Sequence, residues 1–226
     1  DNTVFEVPMI ANKNGEVVTT ENPFPVTITQ SIGYSARSTT NDAFGRLRTS
    51  SAFTLFDSSH RYQDNEKWSS STTGSSVVTV SHNSDDSTVE LLVGTQSGDK
   101  IVRESKRVFS YQPGKSLLVL NTFTFNEPKT YLRQRVGYFG VNDGIYLEQE
   151  NSSIYVVKRS SVTGSPINTR VLQANWNIDT MDGSGDTSNP SGYTLDLTKS
   201  QILWTDFEWL GVGTVRIGFV INGQFI

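Results

Sequence analysis

The chain has 226 residues, carrying 19 basic and 23 acidic side chains and no cysteine. That length admits one large β domain, or one domain plus an arm, with enough chain to bury a substantial core. The mild net charge of −4 lacks the basic stripe of a general nucleic-acid binder, the missing cysteine excludes a disulfide framework or a cysteine metal site, and no apolar run approaches the ~18 residues of a membrane span.

Glycine, serine, threonine and asparagine are abundant, methionine is rare, and long runs of helix-favouring residues are absent. This is the composition of an all-β chain rich in turns. No signal peptide opens the sequence, and Asp1 in place of methionine reads as a trimmed terminus. The absence of cysteine suits folding in a reducing compartment.

Residues 1–40 hold few large apolar side chains, thinly spread. Pro23 and Pro25 keep the chain extended and remove ladder donors, so the run Val26–Thr29 fits only a short edge strand. Two readings stay open for this stretch: an arm lying along a partner or along its own domain, and a flexible terminus.

Asn41–Ser58 reads N-D-A-F-G-R-L-R-T-S-S-A-F-T-L-F-D-S and has no clean period. Phe44 and Leu47 sit three apart, as on a helix. Phe53 and Leu55 alternate, as on a strand, and Phe56 breaks the alternation. A segment that fits neither period is a loop, an arm or a seam that packs against something else. Arg46 and Arg48 share a phase if the chain is extended, and two guanidinium groups on one face suit carboxylates across an interface. Contact with a packaged genome is the alternative, and the acidic overall balance favours the interface. Asp42, Phe44, Arg46, Leu47, Arg48, Phe53 and Phe56 are therefore the expected docking residues.

A polar loop is expected over 66–76, around Trp68 and S-S-S-T-T-G-S-S. Strands are then expected at 76–81, 88–93, 100–111, 117–125, 131–141, 145–149, 153–160, 168–172, 201–209 and 214–221. Turn clusters separate them. N-D-G at 142–144 predicts a tight type I′ hairpin, and Asn222-Gly223 predicts another, followed by an apolar strand. The chain stops three residues into that strand, which reads as a fragment of a longer polypeptide. About ten short strands without a convincing helix predict an antiparallel β-sandwich or jelly roll over 60–226, preceded by an extended arm and docking segment over 1–59.

Four patterns carry candidate chemistry. Asp179, Asp182 and Asp186 lie in a glycine-bearing loop, where hard oxygens can wrap Ca²⁺; the spacing is not that of an EF-hand, and Asp and Gly are also ordinary turn residues. Glu148 and Glu150, and likewise Asp206 and Glu208, are i and i+2 on expected strands and so project to one face. Some β-sandwich glycosidases set an acid and a nucleophile this way, with carboxyls about 5 Å apart. Solvated acids beside a turn, and acids among core aromatics, are the plainer accounts. His60 and His82 are the only histidines, and with no G-x-S-x-G elbow they offer no nucleophilic triad. Trp68, Trp176, Trp204 and Trp209 can form an aromatic platform or a core; Trp176 and Tyr193 are the candidate glycan-stacking rings. Arg133 with Arg135, and Arg103 with Arg107, share strand faces, where a ladder with acids on neighbouring strands is expected.

N-D-A-F-G-R-L-R followed by F-T-L-F-D resembles a segment of virion structural proteins of tailed phages, cyanophages especially, and of some large DNA viruses. Arg133–Gly144 and Trp204–Val220 are similar to the same group, and together these runs cover roughly a fifth of the chain. The resemblance implies a structural role in a particle, at the capsid surface, neck or tail, without naming the part. With that role the expected mechanism is subunit packing plus strand exchange, the extended arm offering backbone donors and acceptors to a neighbour's sheet edge, so other virion proteins and further copies of the chain are the expected partners; the residues themselves lead to the expectation of no enzyme activity, no required cofactor and no membrane. A carbohydrate- or receptor-binding module on a fibre or capsid, meeting a host glycan, is the alternative expectation.

Overall fold

The computed structural model describes residues 52–74, 77–208 and 213–226. They belong to one compact unit spanning 37–226. The expected arm strand at 26–29, the docking residues Asp42, Phe44, Arg46, Leu47 and Arg48, and Trp209 lie outside the described residues.

Twelve strands and one short 3-10 turn, Gln173–Asn175, make up the regular structure among the described residues. The chain is nearly all-β, and every strand pairing is antiparallel. β1 (Trp68–Thr73) pairs with β4 (Lys100–Ser105), and between them β2 (Thr79–Asn83) pairs with β3 (Thr88–Leu92). β5 (Leu117–Phe123) then leads into a four-stranded meander of β6 (Arg133–Phe139), β7 (Gly144–Glu150), β8 (Ser153–Ser160) and β9 (Ile167–Leu172). β10 (Gln201–Phe207), β11 (Val215–Ile221) and β12 (Gln224–Phe225) complete a second sheet, ordered β12-β11-β10-β5.

Period-two alternation fixes which side chains face inward. On the meander, Val136, Leu147, Ile154 and Val156 share one face; on the second sheet, Phe123, Leu203, Ile217, Phe219 and Ile221 do. Both sets join one hydrophobic cluster with Phe125, Met181, Leu197 and Ile226. Leu147 and Leu203 are wholly buried, each worth about 1.5–3 kcal/mol of transfer free energy. Phe125 is anchored where its N–H donates to Leu197 O at 2.8 Å, tying the β5–β6 connection to the loop before β10.

The Asn222-Gly223 hairpin forms as expected. Both residues have positive φ, 50° and 76°, as a type I′ turn requires. Ile226 exchanges backbone hydrogen bonds with Phe219 at 2.8 and 2.9 Å, and Trp204 Nε1 donates to Ile226 O at 3.2 Å. Gly218 permits this closure: a Cβ there would lie 2.0 Å from Ile226 O.

Three expectations need correction. The stretch 66–76 is not simply a polar loop, because Trp68–Thr73 is a strand. Its S-S-S-T-T has no apolar alternation, since the β1–β4 ribbon leaves most of β1 exposed; backbone pairing with β4 forms it. The strand expected over 100–111 ends at Ser105. Beyond it the Ser105 hydroxyl donates to Arg107 O, and Phe109 turns edge-on to Phe56. The hairpin at 142–144 forms, but not as a two-residue turn. Gly140–Asp143 is a four-residue loop closed by Gly140 N–H donating to Asp143 O at 2.8 Å. Gly144 instead begins β7, where a Cβ would lie 2.2 Å from Phe139 Cα. The Asp143 carboxylate accepts from Ser161 N and Oγ at 3.0 and 3.1 Å.

Residues 52–59, the described part of the expected docking segment, run along β1 and the chain beyond β4. Trp68 Nε1 donates to Ser58 Oγ at 2.7 Å, Lys67 pairs with Asp57 at 2.9 Å, and Arg107 donates to Leu55 O at 3.2 Å. Among the described residues no helix is long and apolar enough to cross a membrane.

Candidate interaction surfaces

The outer face of the meander carries the densest polar constellation. Strand alternation puts Arg133 and Arg135 of β6, Glu148 and Glu150 of β7 and Arg170 of β9 on this face, opposite Leu147 and Val156. Glu148 is fully buried. Arg135 Nε donates to its Oε2 at 2.6 Å, Arg170 pairs with its Oε1 at 2.7 Å, and Arg133 stands 3.8 Å away. Glu150 takes Arg133 Nε at 2.8 Å and Arg170 Nη1 at 2.7 Å. Hydrogen bonding from Arg133, joined by Arg170, holds the Glu150 carboxyl below its usual range. The same contact with Glu150 raises the Arg133 guanidinium.

Aromatic rings continue this face. Tyr146 has no exposed surface; Arg135 and Arg159 lie over its ring at 5.5 and 5.3 Å. It sits across from Gly137, where a Cβ would approach Tyr146 Cα to 2.7 Å. Arg159 donates to Asn168 Oδ1, Gly140 O and the Tyr146 hydroxyl at 3.0, 3.0 and 3.2 Å. Arg170 lies over Tyr155 at 5.3 Å. The expected ladder of Arg133 and Arg135 with acids on a neighbouring strand is therefore present. Arg159, Arg170 and Tyr146 are not singled out by the sequence. The available signal is arginine recurring in phase on strands flanking L-E-Q-E, and it becomes legible only once β9 is known to lie two strands from β7.

Glu148 is enclosed by guanidinium groups and Glu150 is held by two of them. In the second carboxylate pair, Asp206 is buried and pairs with Arg216, while Glu208 is buried one residue beyond β10.

The outer face of the second sheet carries the Asp206–Arg216 pair, with Arg216 over the Trp204 ring at 5.8 Å, beside a more apolar stretch. Leu118 and Leu120 on β5 and Ile202 on β10 share it, and are 37%, 54% and 37% exposed. Next to them Trp204 is buried against Phe225, with ring centres 5.6 Å apart. β5 is an edge strand whose sequence, L-L-V-L-N-T-F, contains no charge. No described strand pairs with its outer side.

The remaining candidates are engaged elsewhere. Trp176 packs against the core and stacks on Phe219 at 6.4 Å. Tyr193 also packs there, and its hydroxyl accepts from Asn222 Nδ2 at 2.9 Å. Neither ring is presented as a bare platform. Asp179 is buried and accepts from Met181 N, Asn189 Nδ2 and Ser191 N at 3.0, 2.6 and 3.0 Å. Asp182 accepts from Ser184 N and Asp186 from the Ser188 hydroxyl and backbone, contacts that lower both carboxyls. Among the described residues these three do not converge into a metal-holding group. Phe53 is exposed, whereas Phe56 lies between Trp68 and Phe109 at 5.5 and 5.3 Å. His60 Nδ1 accepts from Asn65 N at 3.2 Å, and its carbonyl meets His82 Nε2 at 2.6 Å. Burial, then the charge of Arg103, lowers the His60 imidazole, with Asp64 opposing.

Protein-family models, curated proteins and solved structures were all compared with the chain, and none matches.

Proposed function

We propose that this chain is a structural component of a virus particle, built on a β-sandwich and acting by packing against other subunits. The observation that carries the reading is the edge of β5, which no described strand covers, neutral along its length and beside the exposed Leu118, Leu120 and Ile202. Exposed neutral edges are a liability for a free monomer and are normally blunted by charge, proline or a bulge. An edge with no partner among the described residues suits a protein whose working state supplies one. The resemblance of Asn41–Ser58 to virion proteins supplies the kind of assembly.

In this reading the two four-stranded sheets, whose inner residues share one apolar cluster, form the layers of the sandwich. The strictly consecutive order of the meander favours a sandwich over a jelly roll, whose neighbours are mostly non-consecutive. Partners are other virion proteins and further copies of the chain. The enclosed state of Glu148 and the pairing of Asp206 with Arg216 support an assembly role over a glycan-hydrolase role.

The test is to locate the protein in its parent particle by cryo-electron microscopy and to probe the isolated protein on a glycan array. Ordered copies in the shell, neck or tail, with an empty array, are expected. Specific glycan binding lost in Trp176→Ala would replace this reading with a receptor-binding one.

A further inference from the structure

The chain's two histidines, His60 and His82, meet at one junction. Among the described residues the β2–β3 hairpin reaches the rest of the chain by two side-chain hydrogen bonds, and both end on neighbouring carbonyls of one loop. His82 Nε2 donates to His60 O at 2.6 Å, and the Ser87 hydroxyl donates to Arg61 O at 3.4 Å. No residue from Thr79 to Leu92 is buried. An element with so little apolar burial sits at the low end of local stability, so these two contacts weigh heavily in its docking.

The loop that supplies both carbonyls is itself held by the His60 ring. Asn65 N–H donates to His60 Nδ1 at 3.2 Å, which requires a lone pair on that nitrogen. Asn65 in turn organises the loop: its Nδ2 donates to Ser59 O at 3.3 Å, its Oδ1 accepts from Lys67 N at 2.9 Å, and its carbonyl accepts from Trp68 N at 3.2 Å. A proton on Nδ1 would turn two N–H groups on each other and end the contact with Asn65 N. Most groups facing the ring oppose that proton. Burial, with the Trp68 ring centre 6.4 Å away, sets a desolvation cost, and Arg103 of β4 and His82 of β2 bring positive charge. Asp64, 3.6 Å from Nδ1, favours the proton, but its carboxylate is already paired with the Arg103 guanidinium.

We infer that His60 and His82 form an acid-sensitive clasp: protonation of His60 loosens the 58–65 loop and frees the β2–β3 hairpin. The docked loop resists the proton, so the freed state, with a solvated imidazole, binds it more readily. Linkage then shifts the population toward the freed hairpin as pH falls below about 6.5, the ordinary histidine value. His82 keeps its Nε2–H in either charge state, so its own protonation adds positive charge beside His60 without removing a donor.

Hydrogen exchange on the full chain tests the clasp, with protection factors corrected for the intrinsic effect of pH. A two-stranded hairpin is at best marginally stable by itself, so release shows as exchange. Between pH about 7.5 and about 5, the amides of Thr79–Leu92 are expected to lose protection several-fold, while those of the central strand Gly144–Glu150 keep theirs. His60→Gln can still accept from Asn65 N–H but takes no proton in this range, and should hold the hairpin's protection level across the same span. Wild-type hairpin amides that lose no more protection than the Gly144–Glu150 amides overturn the clasp, whether or not the variant folds. So does a hairpin that loosens equally in wild type and His60→Gln.

Discussion

The outer faces of the two four-stranded sheets use the same device, an arginine between a buried carboxylate and an aromatic ring, to different extents. Over the meander, three arginines cover two glutamates, and arginines cover Tyr146, so the face shields itself with its own side chains. On the second sheet one such group, Arg216 paired with Asp206 and lying over the Trp204 ring at 5.8 Å, covers part of the face, while Leu118, Leu120 and Ile202 keep apolar surface in contact with water. The difference teaches where specificity and where affinity reside. A buried ion-pair network contributes little net stability against an apolar replacement but is costly to break. A bare apolar edge contributes nothing to the free subunit and gains its value on contact.

Breaking the charged face should produce the largest effect. Glu148→Ala leaves Arg135 and Arg170 facing each other without their shared carboxylate, and is expected to cost about 3–5 kcal/mol in denaturant unfolding. Replacing Glu148 together with Arg135 and Arg170 by apolar residues of similar volume should recover most of that loss. Next comes the closure of β12. Gly218→Val places a Cβ against Ile226 O, and about 1–3 kcal/mol is expected, with faster hydrogen exchange at the Ile226 amide. Acid should act more weakly and in two windows. His60 is lowered in the folded state, so its stabilisation is full above the ordinary histidine value and declines as pH falls below about 6.5. Glu150 is also lowered; its share is kept above the ordinary glutamate value and lost as pH falls below about 4. Thermal melts across pH should show both steps, with His60→Gln removing the first and Glu150→Gln the second. The smallest effect belongs to the apolar face: Leu120→Lys should change monomer unfolding by no more than about 0.5 kcal/mol.

The sequence made the meander and second sheet legible because alternation and turn residues agree there. Ser153–Ser160 and the Asn222-Gly223 turn match expectation, since a half-buried strand and an Asn-Gly pair each leave a local signature. β1 left none, because its partner Lys100–Ser105 lies some thirty residues on and neither face is apolar. The arginine pair at 133 and 135 was visible as a phase, but Arg170 joins it only through the strand order β6-β7-β8-β9. Trp176 misleads for a related reason. A tryptophan between asparagines reads as surface, and only tertiary contact turns it onto Phe219.

Sedimentation of the purified chain over a wide concentration range bears most directly on whether it works as an assembling subunit. The account predicts a mass of two or more times 25.0 kDa. A chain that stays at one copy at every concentration would contradict it.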